Sequence, residues 1–472
     1  MKPNRFYLYS LVLVFLPLMG YSQVVLQALE AYNNITFESG KKRIASIYDA
    51  DYLPYNIDPR SEALWQRDIP ADGTPDPLIN HQGKITTTGF QVGIPVSVLK
   101  DGTLPAYSVD ITVPAAHTED GNSRTLRFSW QEQPVIATGA IGGTTYIVAT
   151  IRSLEGDLLI KKLDMNMGFG ADVEGLLLGT FNYPDRYAGA GQFVTTTAEY
   201  KLYAVTGIPD RCFGKTTAAC VGYGAGAREH DFIYTPVLGP DGKVWLSNNL
   251  GAEYARYGSV VFDPAAQAGT RENSWSRPLV YPTVEQIQLD YFAYGSLFQW
   301  QRNPDGHELI EPRIDRRRLN FDRTDILSTS WTKPGSKWTM SSTPNYSWVT
   351  NDLTQQGPHT LWQSGGATNP CPSGYHVPTR EEMQALHIAI DGATISANTK
   401  LRGERVLRLT EGDRISTPNG YIDVVPGNNG WYWTSSHSGT NASYLSWNRY
   451  GYAISENDGW QRIAMSIRCI KD

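Results

Sequence analysis

Two cysteines, Cys371 and Cys469, limit what this chain can fold into more than any other pair of residues. They are the only cysteines in the last third of the sequence and stand 98 positions apart. Bonded, they would close a loop whose cross-link is worth ~4–5 kcal/mol in the chain-entropy view of disulfides. Cys371 lies in Asn369-Pro-Cys-Pro-Ser-Gly-Tyr-His-Val-Pro-Thr-Arg-Glu-Glu-Met383, and Cys469 in Ser466-Ile-Arg-Cys-Ile-Lys-Asp472. Between the first cysteine and the helix it precedes, Thr379-Arg-Glu-Glu382 has the form of a capping box, in which the Thr379 hydroxyl and the Glu382 carboxylate each satisfy the other's backbone N–H. Met383, Leu386 and Ile390 then fall at i, i+3 and i+7, one buried helix face. The bond would fasten the last strand of a domain to the start of its main helix.

Residues 1–22 read as a signal peptide: Lys2 and Arg5, the apolar run Leu11–Met19, then Gly20 and Ser22 before a cut at Gln23. The run is short and broken by Pro17, and no later stretch has the length and apolarity of a membrane span. The expected location is outside the cytoplasm: extracellular, at the cell surface or in the periplasm. Four cysteines in an exported chain suggest two disulfides. Three pairings are possible, and local spacing favours Cys212–Cys220 with Cys371–Cys469. Formal net charge is −6, or about −8 without Lys2 and Arg5. Without a basic stripe, nucleic acid and anionic membranes are poor partners.

Aromatic residues make up 11% of the chain and charged residues only 19%, with 44 Gly and 28 Pro. Many short strands joined by turns suit such a composition. The expected fold is mainly β with a small α+β C-terminal domain. Residues 23–83, interrupted by Pro54, Pro59, Pro70, Pro75 and Pro77, read as an extended N-terminal segment. Residues 84–235 carry Lys84–Val98, Tyr107–Val113, Thr125–Trp130, Thr145–Ile151, Asp157–Leu163 and Glu199–Val205 as strands, a pattern that suggests a β-sandwich. The Pro/Gly-rich stretch at 236–241 is the expected boundary to a domain over 236–472. In that domain 430–436, 442–453 and 463–470 read as strands.

Five segments of the C-terminal half carry a resemblance. They are Lys243-Val-Trp-Leu-Ser-Asn-Asn-Leu-Gly251, Tyr294-Gly-Ser-Leu-Phe-Gln-Trp300, Cys371-Pro-Ser-Gly-Tyr-His-Val-Pro-Thr379, Trp431-Tyr-Trp-Thr-Ser-Ser436 and Ser466-Ile-Arg-Cys-Ile470. In this order they resemble the Fibrobacter succinogenes major paralogous domain over about half the chain. The resemblance implies a divergent C-type-lectin-like or formylglycine-generating-enzyme-like fold on an exported protein of Bacteroidota type. It implies fold and location more firmly than activity.

No catalytic set is expected. There is no Gly-x-Ser-x-Gly elbow and no His-Glu-x-x-His zinc helix, and the two C-terminal cysteines serve better as a staple than as reactive thiols. His376 and His387 flank Glu381 and Glu382, but no third metal ligand is marked. Glu311-Pro-Arg313 and Glu456-Asn-Asp458 fall short of a calcium-lectin pattern, and Arg313 would oppose a cation. The basic run Arg313–Arg318 reads as a solvated loop. No cofactor and no metal are expected. A metal-free ligand face is the remaining candidate. Tyr444, Trp447, Tyr450, Tyr452 and Trp460 lie among amides and charges, and aromatics and Arg are the residues enriched at binding hot spots. Packing of alternate residues into the core competes with that role. Asn448, Arg449, Tyr450, Asn457, Asp458 and Trp460 are the candidate contacts. The expected function is non-catalytic recognition of a glycan or protein by an exported adhesion or binding protein. The alternatives are a structural surface or fimbria-associated component assembling through its β-sandwich, and a formylglycine-type enzyme. No feature sets an oligomeric state.

Overall fold

The computed structural model describes residues 34–37, 39–46, 84–161, 163, 173–184, 197–257, 259, 261–269, 282–310, 322–340, 347–350, 360–392, 400–415, 429–438, 441–448, 451–455 and 460–472. Residues 1–22, expected as a signal peptide, and most of 23–83 lie outside them, as do Glu311–Arg318 and Glu456–Asp458. The described chain is mainly β with few helices. No described helix is long and apolar enough to cross a membrane.

Contacts divide the chain into two compact units. The first draws on Met1–Lys42, Ile85–Leu158 and Leu177–Leu202; the second draws on Arg43–Lys84, Leu159–Leu176 and Tyr203–Asp472. In the first, a five-stranded sheet runs in the order Ile35–Phe37, Phe90–Val98, Tyr146–Ser153, Arg124–Trp130, Tyr107–Val113. Every neighbouring pair is antiparallel. Alternation decides which residues go inside: Leu126, Phe128 and Trp130 are buried while Arg127 and Ser129 are not. Strands Leu176–Pro184 and Thr197–Thr206 are neighbours in a second sheet. Phe181 of this sheet stacks on Phe128 with ring centroids 5.1 Å apart, and Tyr200 does so at 5.5 Å. Leu176–Pro184 was not expected as a strand. Its alternation breaks at Gly179, where a Cβ would meet Ile111 Cδ1 at 1.9 Å. The glycine permits a close approach and hides the pattern.

The second unit begins well before the boundary expected at 236. Ile208–Pro209 pairs with Ile233–Tyr234, and Phe232 and Tyr234 enter the same core as Trp300 and Trp433. The Pro/Gly-rich stretch is the turn of a hairpin, Pro236–Leu238 against Val244–Leu246. Gly239 N–H donates to Lys243 O, and Asp241 Oδ1 accepts from the Lys243 N–H and the Trp245 Nε1–H. Pro, Gly and Asp mark a tight turn here rather than a linker.

Both disulfides are formed, Cys212–Cys220 and Cys371–Cys469, with Cα atoms 5.4 and 5.9 Å apart. The long-range bond is buried, and Ile470 beside it pairs with His376 and with Trp245. The helix Arg380–Asp391 carries the full capping box, Thr379 Oγ1 accepting from Glu382 N–H and Glu382 Oε2 from Thr379 N–H. Met383 and Leu386 are buried and Ile390 half-buried, as the spacing requires. A second boxed helix, Val284–Leu289, follows Thr283 and uses Gln286 as its partner. The segment expected as one last strand is two short ones, Ala464–Met465 and Ile470–Lys471. Its hydrogen bonds go to successive partners: Ser466 N–H to Trp431 O, then Leu250 N–H to Ile467 O and Leu246 N–H to Cys469 O. A segment that changes partners every few residues cannot keep one ladder.

Candidate functional site

Of the expected ligand residues, Asn448 ends the middle strand of a three-stranded sheet. Asn429–Ser438 pairs with Asn441–Asn448, which pairs in turn with Gly451–Ser455. The middle strand is buried on both faces. Ala442 and Tyr444 pack with Trp433, Ile467 and Cys469, whereas Leu445 and Trp447 pack with Tyr432, Trp245 and Leu386. Trp447 stacks on Tyr432 with centroids 5.3 Å apart, and Gly430 makes room for it, since a Cβ there would lie 2.2 Å from the Trp447 ring. Tyr444 and Trp447 are therefore core residues, unavailable for stacking on a ligand.

Asn448 is half-buried at the end of the sheet, opposite Asn429 and Gly451. Trp460 is half-buried against the core, with the Arg462 guanidinium 5.1 Å from its ring centroid. Arg449, Tyr450, Asn457 and Asp458 lie outside the described residues, as does the Tyr452 side chain. The structure adds residues that the sequence reading passed over. Asp413 N–H donates to Asn429 O, and Asn429 Nδ2 lies 3.4 Å from Asp413 Oδ2. Asp413 adopts φ 60°, uncommon for a residue other than glycine and tolerated by Asp. Arg414 then stacks on Trp431 at 3.9 Å. The sheet end thus gathers amides, a carboxylate and a guanidinium on indole. The Gly-Asp-Arg run at 412–414 was the only signal in the sequence.

The charged groups at the heart of the unit form a closed network. His230 Nε2 lies 2.6 Å from Glu308 Oε1. Asp305 Oδ2 accepts from Arg302 Nε–H at 3.0 Å and from the Tyr223 hydroxyl at 2.9 Å. The Gln299 N–H donates to His307 Nε2, which places the His307 proton on Nδ1, 2.7 Å from Asp305 Oδ1 and 3.1 Å from Glu308 Oε2. Asp305, His307 and Glu308 have donor atoms close enough to share a cation. Their lone pairs are already engaged, and Arg302 supplies the positive charge beside Asp305, so this arrangement braces a turn. Burial opposes protonation of His230, but the Glu308 hydrogen bond and the charges of Glu308, Asp210 and Glu229 outweigh it and raise the imidazole to about 9. Burial would raise Glu308, yet its hydrogen bonds to His230 and His307 hold it below the usual carboxylate range. Burial lifts Asp210 to about 6, partly offset by His230.

His376 and His387 do not converge. His376 bridges Asp472 at 2.7 Å and Glu382 at 3.1 Å, while His387 lies 2.9 Å from Asp391 within its own helix. Each imidazole serves a separate local contact. Searches of family models, curated proteins and solved structures match nothing to this chain.

Proposed function

We propose that this chain is an exported, non-catalytic binding or adhesion protein that recognises a glycan or protein ligand. Its C-terminal unit is a C-type-lectin-like domain resembling the Fibrobacter succinogenes major paralogous domain, preceded by a β-sandwich. One observation carries this reading. All five segments of the resemblance enter a single buried cluster, through Leu246 and Leu250, Phe298 and Trp300, Cys371 and Tyr375, Trp433, and Ile467 and Cys469. Residues spent on a core specify a scaffold. Recognition then falls to Asn448, Arg449, Tyr450, Asn457, Asp458 and Trp460, of which Asn448 at the sheet end and Trp460 are described and half-buried. Arg414 on Trp431 adds a described cationic and aromatic edge. The test is binding of the purified chain to glycan and protein arrays. Loss of a specific signal in Arg449→Ala and Tyr450→Ala, with folding intact, is the expected result. Retention of that signal in both variants would sink the assignment of the site.

A second reading, assembly through the β-sandwich, has one observation of its own. Tyr107–Val113 ends the five-stranded sheet, and a terminal strand offers a template for pairing. Concentration-dependent polymers in light scattering, unchanged by Arg449→Ala, would favour it.

A further inference from the structure

We propose that Cys212–Cys220 is a redox latch on a lid, residues 211–231, that covers the buried acid–histidine turn Asn303–Glu308. The base of the lid is pinned. Asp210 N–H donates to Phe232 O at 2.8 Å, next to the paired strands Ile208–Pro209 and Ile233–Tyr234. Beyond this base the lid has little regular structure of its own. Its helix, Thr217–Val221, has five residues, too few to persist unaided. Inside the lid, Thr217 N–H bonds to Ala227 O and Ala218 N–H to Ala225 O. The Thr217 hydroxyl also donates to Glu229 Oε2 at 2.8 Å, Gly214 N–H donates to Asp231 Oδ1 at 2.9 Å, and Arg228 pairs with Asp231 at 2.7 Å; the disulfide is the covalent tie among them.

What the lid covers is specific. The Tyr223 hydroxyl donates to Asp305, and Asn303 Nδ2 lies 3.3 Å from the same hydroxyl oxygen. Glu229 stands against Gly306, where a Cβ would come within 3.1 Å of its Oε2. His230 reaches Glu308 from the far end of the lid. At the near end Arg211 donates to Asn369 O at 2.6 Å and Ala367 O at 3.1 Å, holding the loop that leads into Cys371.

The two disulfides differ in access. Cys371 and Cys469 are both buried, while Cys220 is half-exposed although its partner Cys212 is fully buried. Thiol exchange needs a path for the attacking thiolate. A small dithiol reaches Cys220 first: its thiolate attacks Cys220 Sγ, the Sγ–Sγ bond breaks, and Cys212 leaves as a thiolate. The second thiol of the reductant resolves the mixed disulfide. Two electrons and two protons pass to the protein, giving two cysteine thiols and one oxidised dithiol. The Cys371–Cys469 staple stays closed, so the core persists while the lid swings from its base and the Asp305–His307–Glu308 group meets water.

The experiment uses the full chain and dithiothreitol. Native protein is reduced stepwise, trapped with iodoacetamide and mapped by mass spectrometry, then followed by hydrogen exchange. Alkylation should appear on Cys212 and Cys220 while Cys371–Cys469 remains bonded. Amides of 217–228 and 306–308 should then exchange roughly tenfold faster or more, with those of Arg380–Asp391 unchanged. Simultaneous loss of both bonds overturns the proposal, as does selective reduction that leaves the lid and the turn protected. A Cys212→Ser/Cys220→Ser double variant should show the open pattern without reductant; full protection in that folded variant also overturns it.

Discussion

The two units of this chain build their interiors from different materials. In the first, strand alternation sorts the residues, so aromatic rings such as Phe128, Trp130 and Phe181 fill the centre. Its bidentate ion pair, Arg127 with Asp110, stays at the surface. In the second, short strands and long loops surround buried charge. Arg302 is fully buried and donates to Asp305, Gln299 Oε1, Gly335 O and Lys337 O. Arg468 is equally buried and donates to Asn249 Oδ1 and to the carbonyls of Leu246, Ser247 and Leu407. Loop carbonyls have no ladder to accept from, and a guanidinium carries five N–H donors in a rigid fork. Where regular structure is scarce, an inside arginine does the work that neighbouring strands do elsewhere.

The largest expected break in this contrast comes from the long staple. A Cys371→Ala/Cys469→Ala variant should lose ~4–5 kcal/mol from the second unit, read by unit-resolved hydrogen exchange under denaturant. The first unit should keep its protection; equal losses would erase the distinction. Next, Arg302→Ala removes the guanidinium that pairs with the buried Asp305 carboxylate and the donor to the Gly335 and Lys337 carbonyls, and about 3–5 kcal/mol of stability should go with it. Arg127→Ala, on the exposed pair, should leave denaturant midpoints unchanged within error. A comparable cost at both arginines would show that burial is not what separates them.

Acidity sharpens the comparison further. His230 is raised from 6.5 to about 9 in the folded protein. A raised base stabilises fully below its unfolded value and loses that contribution as pH climbs through the folded one. The second unit should therefore weaken between about 6.5 and about 9, and His230→Gln should flatten the profile there. A wild-type unfolding profile that is level across this window would contradict the protonated bridge to Glu308. The smallest effect expected is at the helix cap. Thr379→Ala should cost about 1 kcal/mol, seen as earlier fraying of Arg380–Asp391 and no change in the first unit.

How far the sequence revealed this structure depends on which interaction decided each element. Tyr107–Val113 was legible in full because its apolar residues alternate, and Thr379–Glu382 because a capping box is local. The disulfide partners were legible from spacing and number. Val284–Leu289 was missed although Thr283 and Gln286 spell the same box, since its helix is too short to show a periodic face. The division near 203 was obscured because a hairpin turn and a linker share Pro, Gly and Asp. The buried network escaped notice for a deeper reason. Asp305-Gly306-His307-Glu308 reads as a polar turn, and only tertiary packing puts such residues inside. At the candidate site, Asn448 and Trp460 fell at half-exposed positions, but Tyr444 and Trp447 did not. Tyr444 and Trp447 stand three residues apart and so face opposite sides of that strand, and a separate core covers each side.

That doubly covered strand, Asn441–Asn448, has a consequence for how the C-terminal half can be inherited. One ribbon wedged between two oily compartments ties their melting together, so neither compartment should survive excision of the other. The smallest portable cassette starts near Tyr203 instead of the Pro/Gly hairpin, and gene fusions trimmed at that hairpin would discard Phe232 and Tyr234 along with the lid.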